Sequence, residues 1–272
     1  MLKKLTIVAV AAAFAATPLP SLAQGKKDSV VVGMTLEPPG LDPTNAAAAA
    51  IAEVTLYNLY ETLTKINEDG SVSPLLAESW QASTDLKTYT FKLRKGVKFH
   101  NGEPFDSATV KFSYDRNATP TSTNKDKSLY QAFESVTAPD ADTIVVALKY
   151  SEPNLPFLLG QASGSIVEPK SAPTNATQPV GTGPYTLGAW AKGSSITLTK
   201  WPDYRNAAAI KLSKVTIRFI GDPAAQVAAL LSGDVDAYPR VAAARSLAQF
   251  KADPRFNVLI GGSRAKTIVG IN

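Results

Sequence analysis

Cysteine is missing from this 272-residue chain, and histidine occurs once. The first absence removes disulfides, thiol nucleophiles, iron–sulfur clusters and every thiolate zinc site. The second removes any centre that needs two imidazoles, including the paired histidines of zinc proteases. No Gly-Lys-Ser/Thr closes a glycine-rich loop, so a nucleotide-hydrolysing phosphate loop is excluded. Gly181-Thr182-Gly183-Pro184 begins like a dinucleotide fingerprint, but Thr186 stands where the third glycine belongs. Dense basic runs are missing too. The 28 Lys+Arg and 23 Asp+Glu are dispersed, and no nucleic-acid partner is expected. The short Lys125–Lys127 stretch contains an aspartate and reads as a solvated loop. Neither a cofactor nor a metal is expected.

What is present suits a folded chain of one large domain or two modest ones. Apolar residues make up 44% and charged residues 19%, enough apolar surface to offset the entropy of ordering the backbone. Residues 1–23 have the three parts of a secretory signal peptide. Lys3 and Lys4 give a positive start, Leu5–Ala16 is apolar, and Ser21-Leu22-Ala23 supplies the small residues of a cleavage site. That apolar stretch is far shorter than the ~20 residues a membrane span needs. Cleavage after Ala23, a mature start at Gln24 and a periplasmic location are expected.

The remainder reads as mixed α/β. Ser29–Thr35 is a β-branched run stopped by Pro38-Pro39-Gly40. Asn45 is placed to cap a helix reaching about Tyr60, and Glu61–Ile66 reads as a strand. In Lys87–Leu93, Tyr89, Phe91 and Leu93 alternate with Thr90 and Lys92, the period of a half-buried strand. Asp106 opens a helix to about Asn117. Thr143–Lys149, Ser195–Lys200, Lys214–Ile220, Val258–Ile260 and Thr267–Ile271 read as strands. Asp222-Pro223 starts a helix that Gly233 ends.

Screens for catalytic chemistry return little. Gly261-Gly262-Ser263-Arg264-Ala265 loosely matches a nucleophile elbow, with His100 as the one available base, but the following residues read as a strand rather than a helix. His100 beside Asn101-Gly102 reads as a turn residue. Asp234 and Asp236 flank Val235 and read as a solvated strand end rather than a catalytic dyad. The expectation is a protein that is not an enzyme.

Residues 59–80 (LYETLTKINEDGSVSPLLAESW) and 86–116 (LKTYTFKLRKGVKFHNGEPFDSATVKFSYDR) resemble the extracytoplasmic solute-binding proteins of family 5. Val180–Tyr185 resembles that family's Gly-Thr-Gly-Pro-aromatic segment, and Asp222–Asp236 its helix ending in Ser-Gly-Asp-x-Asp. Trp201-Pro202-Asp203-Tyr204 resembles its Asn-Pro-Asp-Tyr-Trp, except that Trp201 replaces the Asn and Arg205 the second aromatic.

The resemblance implies the first lobe of a periplasmic-binding-protein-like fold (type II, cluster C) over residues 24–272. Family members are close to twice as long, so the second lobe is expected to be missing. It also implies a monomeric solute-binding component of an ABC importer, with a peptide or other small-molecule solute and inner-membrane permease subunits as partners. The alternative is a single-lobe periplasmic accessory protein or enzyme. Candidate ligand-binding residues are Met34, Thr35 and Leu36, after the first strand, where this fold class places ligands beyond strand ends. Gln161, Gly164 and Ser165 join them because the corresponding region lines the cleft in relatives. Ordinary loop packing is the competing reading for all six. Thr35 and Ser165 are expected to face one open groove.

Overall fold

The computed structural model describes residues 27–44, 48–241 and 244–261. In chain order its first half holds β1 (Ser29–Met34), α1 (Ala49–Thr55), β2 (Thr64–Ile66), β3 (Val72–Pro74), β4 (Ala77–Ala82), β5 (Thr88–Leu93) and α2 (Ser107–Ala118). Then come α3 (Lys127–Gln131), β6 (Phe133–Asp140), β7 (Thr143–Leu148) and α4 (Leu155–Leu159). The last part holds β8 (Tyr185–Ala191), β9 (Ser195–Lys200), β10 (Lys214–Phe219), α5 (Pro223–Ser232) and α6 (Leu247–Ala252).

Two four-stranded sheets and one hairpin organise these elements. The first sheet has the order β1-β10-β9-β8, with β1 parallel to β10 and the other pairs antiparallel. The second, β4-β5-β7-β6, is antiparallel throughout. Among the described residues β2 pairs with β3 alone. The expected mixed α/β class is therefore the observed one.

Alternation decides the second sheet. Tyr89, Phe91 and Leu93 are buried together, while Lys92 turns outward to donate to Thr143 Oγ1 at 2.8 Å. Ile144, Val146 and Leu148 of β7 add a matching apolar row, and α2 covers it with Val110 and Tyr114. Burying each of these large side chains stabilises the fold by roughly 1.5–3 kcal/mol. Asp106 caps α2 as expected. It accepts from Thr109 N at 3.0 Å, and Thr109 Oγ1 accepts from the Asp106 amide at 3.2 Å, so each residue satisfies a free amide of the other.

The first sheet is covered on two faces. Val54 of α1 packs with Met34, Ile196, Leu198 and Ile217 on one. Ala229 and Leu230 of α5, with Phe250 of α6, pack with Val235, Val31 and Tyr238 on the other. α5 starts and stops where the sequence says. The Asp222 carboxylate accepts from Ala225 N at 2.7 Å, and Gly233 ends the helix at φ 80°. The chain after α5 then lines the free edge of β1, where Gly33 N donates to Ala237 O at 2.8 Å. Asp236 anchors this edge by accepting from Val31 N at 2.7 Å and pairing with Lys27, while Asp234 stays exposed. The two aspartates thus form no dyad.

Four local expectations are corrected. The helix expected to reach Tyr60 ends at Thr55, whose carbonyl then accepts from the amides of Asn58, Leu59 and Tyr60. That tight turn, with Tyr57 at φ 58°, delivers Leu59 and Tyr60 to the core, which a continued helix would have pointed elsewhere. The Glu61–Ile66 strand shrinks to Thr64–Ile66, because Glu61 and Thr62 are drawn into interior polar bonds. Val258–Ile260 forms no strand: Leu259 and Ile260 are exposed and pair with nothing among the described residues. Lys125–Lys127 is only partly loop, since Lys127 opens α3. Asn45, Ser263, Thr267–Ile271 and residues 1–23 lie outside the described residues.

Candidate functional site

β1 carries Met34 to the edge of the first sheet, where the chain must leave it because Pro38, Pro39 and Pro43 cannot all serve a strand ladder. Beyond that edge lies a cavity of about 740 Å³. Met34, Thr35 and Leu36 line it, with Ile217 of β10, Ala49, Ala50 and Glu53 of α1, and Pro239 and Arg240 of the segment beside β1. The three residues expected here are thus brought together. Their roles differ: Met34 is buried in the floor, whereas Leu36 is 69% exposed, a large apolar side chain presented to solvent. Thr35 Oγ1 accepts from Gln226 Nε2 at 3.3 Å, so α5 holds the loop from behind.

The cavity is mostly apolar, with charge at its rim. Glu37 is tied to the β8–β9 hairpin, accepting from Trp190 Nε1 at 2.7 Å and Gly193 N at 2.9 Å. Glu53 and Arg240 form an ion pair across the rim. Apolar surface with a few oriented polar groups is the usual make-up of a small-molecule site.

Gln161, Gly164 and Ser165 do not join this cavity. They follow α4 in a turn whose Ser163 carbonyl accepts from Asn117 Nδ2 at 3.0 Å, Tyr130 Oη at 2.9 Å and Asn124 Nδ2 at 3.2 Å. Gly164 packs so tightly that a Cβ there would lie 2.4 Å from the Leu159 carbonyl oxygen. Ser165 is 0% exposed, so the expectation that it shares an open groove with Thr35 is corrected: its side chain faces the interior. Gln161 alone is half-exposed, and its Oε1 accepts from Lys125 Nζ at 3.3 Å. Ala162, Ser163 and Lys125 line a separate cleft of about 40 Å³ against Ala48 and Ala49.

A polar junction that the sequence did not disclose lies between the two cores. Glu61, 2% exposed, receives Arg205 Nη1 and Nη2 at 2.6 and 2.7 Å, Tyr204 Oη at 3.0 Å and Thr182 Oγ1 at 2.9 Å. Burial, then the Glu61 charge, pushes the Tyr204 hydroxyl up to about 12. Gly181 and Gly183 lie against the backbone of Asn58 and Leu59, where a Cβ at Gly181 would approach the Leu59 carbonyl oxygen to 2.0 Å. The one signal available was Arg205 in place of an aromatic, because a guanidinium drawn inward needs a carboxylate.

His100 belongs to the same junction, where both of its ring nitrogens are engaged. Its Nδ1 accepts from Gly181 N at 3.2 Å, which leaves the proton on Nε2 to be donated to Gly183 O at 3.0 Å. Burial pushes its pKa down, favouring the neutral ring that these two bonds require. The ring stands edge-on to Trp201 at 4.9 Å. Among the described residues no cluster of three or more His, Asp or Glu could hold a metal, and no helix is long and apolar enough to cross a membrane.

Comparison with known proteins places this arrangement. A family model described as bacterial extracellular solute-binding proteins, family 5 Middle, matches residues 71–272. The glutathione-binding protein GsiB of Pectobacterium atrosepticum is 31% identical over 236 residues, 85% of this chain and 45% of its own length. A putative ABC transporter peptide-binding protein of Brucella ovis is 30% identical over 280 residues, 97% of this chain and 52% of its own. Among solved structures, the PBP AgaA of A. tumefaciens R10 in complex with agropinic acid has a TM-score of 0.78 at 30% identity, covering 83% of this chain and 46% of that one. OppA of Haemophilus influenzae, solved with a bound peptide, has a TM-score of 0.77 at 26% identity, covering 84% and 48%. The chain spans about half the length of the relatives it matches, and its fold is that of a single lobe of periplasmic binding proteins. The chain belongs to the bacterial extracellular solute-binding proteins of family 5.

Proposed function

We propose that this chain forms one wall of the solute site of a periplasmic binding protein that delivers a peptide or peptide-like solute to an ABC importer. The observation that carries the reading is the cavity of about 740 Å³ beyond β1, with Met34, Thr35 and Leu36 on its wall. An apolar floor gains affinity by removing solute surface from water, and rim charges satisfy the solute's polar ends. No bond is made or broken in such a task, so the protein is read as a carrier rather than an enzyme, acting as a monomer with permease subunits as partners. Relatives named for glutathione and for peptides support the solute class. Export with removal of residues 1–23 completes the reading, and the intact mass of exported protein should correspond to a start at Gln24.

Thermal shift of the chain against small peptides, glutathione and related amino-acid conjugates tests the binding role. At ten times Kd a bound solute adds about 1.4 kcal/mol, raising Tm by about 3–5 °C for a chain of this size. Met34→Asp should remove that shift. A shift that survives Met34→Asp refutes the assignment of the cavity.

A further inference from the structure

Asn101 and Gly102 form an exposed turn beside the polar junction. Phe99 N donates to Glu103 O and Gly102 N to Phe99 O, both at 2.8 Å, and Gly102 takes φ 86°, a conformation that suits glycine. The Asn101 side chain is held at both ends. Its Oδ1 accepts from Glu103 N at 3.2 Å, and its Nδ2 donates to Glu168 Oε2 at 3.2 Å. Glu168 is 3% exposed and also accepts from the amides of Lys170 at 2.9 Å and Ser171 at 2.8 Å. The Lys170 ammonium pairs with Glu103 instead. A buried carboxylate therefore rests on neutral donors, and one of them is the Asn101 amide.

We propose that Asn101 is a deamidation site which the fold protects, and that its product fits the fold less well than the amide. The reaction needs only water as co-reactant. The Gly102 nitrogen attacks Asn101 Cγ, its proton leaves with Nδ2 as ammonia, and a cyclic imide remains. Water then opens the imide at either carbonyl, giving aspartate or isoaspartate. Glycine favours the attack, because no Cβ crowds its nitrogen. In the folded chain three bonds oppose it: Phe99 O holds the attacking N–H, while Glu103 N and Glu168 hold the amide that must turn toward it. Reaction proceeds from the opened turn, so its rate follows the population of that open state. Closing again is then harder. An ionised carboxylate puts an oxygen where Nδ2 stood, 3.2 Å from Glu168 Oε2. Two carboxylates that close resist being charged together. Isoaspartate also lengthens the main chain between Phe99 and Phe105, both of which are buried. The modification thus marks, and weakens, chains that have opened at this turn.

Trypsin releases residues 99–111 as one peptide, in which Asn101 is the sole side-chain amide. Mass spectrometry of that peptide measures the fraction converted to acid in mildly alkaline buffer. The folded chain should react at least about tenfold more slowly than the chain unfolded in guanidinium chloride. Equal rates overturn the protection. Asn101→Asp supplies the product directly, and its urea midpoint should lie below that of the native chain. Glu168→Gln in the Asn101→Asp background should raise the midpoint again, because the facing charge is gone and glutamine there can donate. An Asn101→Asp midpoint equal to the native one, or no recovery in the double variant, overturns the misfit. If Asn101→Asp alone does not fold, a folded double variant supports the proposal and an unfolded one overturns it.

Discussion

Truncating Arg205 to alanine probes the junction where the two cores meet. The guanidinium gives Glu61 two bonds of 2.6 and 2.7 Å, and the carboxylate is almost wholly removed from water. In Arg205→Ala that charge keeps, among the described residues, the hydroxyls of Thr182 and Tyr204, at 2.9 and 3.0 Å. Removing one partner of a buried ion pair costs about 3–5 kcal/mol, because the other charge stays desolvated. The two remaining donors, and the 22% exposure of the Arg205 side chain, place the expected loss near the lower end, about 3 kcal/mol. A chain of this size loses about 2–4 °C of Tm per kcal/mol, so the midpoint should fall by about 6–12 °C. Urea unfolding followed by far-UV circular dichroism measures the loss directly, provided the slope with denaturant stays constant. An internal control separates charge from shape. Glu61→Gln in the Arg205→Ala background removes the stranded charge at nearly the same volume, and should restore about 1–2 kcal/mol. A loss below about 1 kcal/mol for Arg205→Ala, or a double variant less stable than the single one, would refute the reasoning.

Two further outcomes are expected. Phe91→Ala should cost about 3–5 kcal/mol, since the ring is fully buried between the sheet and α2, whereas Thr35→Ala should stay within about 1 kcal/mol and act on solute affinity only where a second lobe completes the cleft; a silent Phe91→Ala beside an unfolded Thr35→Ala in chemical denaturation would reverse the assignment of core and cleft. Because burial lowers the pKa of His100 from 6.5, the unfolded chain takes up that proton first as pH falls, so the His100 contribution is present above about pH 6.5 and is lost as pH drops through the folded value. Urea midpoints measured across that window should fall more steeply for the native chain than for His100→Gln, and parallel slopes would count against a buried neutral ring.

Features whose causes lie within a few residues of one another are legible in the sequence itself. The alternation of Tyr89, Phe91 and Leu93 sets one face of β5, because successive strand side chains point to opposite sides. Asp106 and Thr109 bond each other across one helical turn, and Asp222, Pro223 and Gly233 mark both ends of α5. The family motifs belong to this local class, since Asn101-Gly102 and Gly181–Pro184 are recognisable as short strings. The loop after β1 is legible too, because prolines stop a strand wherever it lies in the fold, and Met34, Thr35 and Leu36 do line the cavity.

Tertiary structure alone decides what those local pieces meet. Ser165 reads in sequence as a cleft residue, but whether a small polar side chain is open or sealed depends on which distant segments pack around its turn; Ser165 is fully buried, and Asn117, Asn124 and Tyr130 hold that turn through the carbonyl of Ser163. The end of α1 at Thr55 follows from the same cause: a good helix-forming run yields when the core demands Leu59 and Tyr60 at particular places. Glu61 and Arg205 stand 144 positions apart, and Glu53 is still more remote from Arg240, so no spacing rule connects either pair. Spacing along the chain reports periodicity and caps, because those interactions reach only a few residues. Charge pairing and burial are set by which segments the sheet topology brings side by side, and that is a property of the assembled fold.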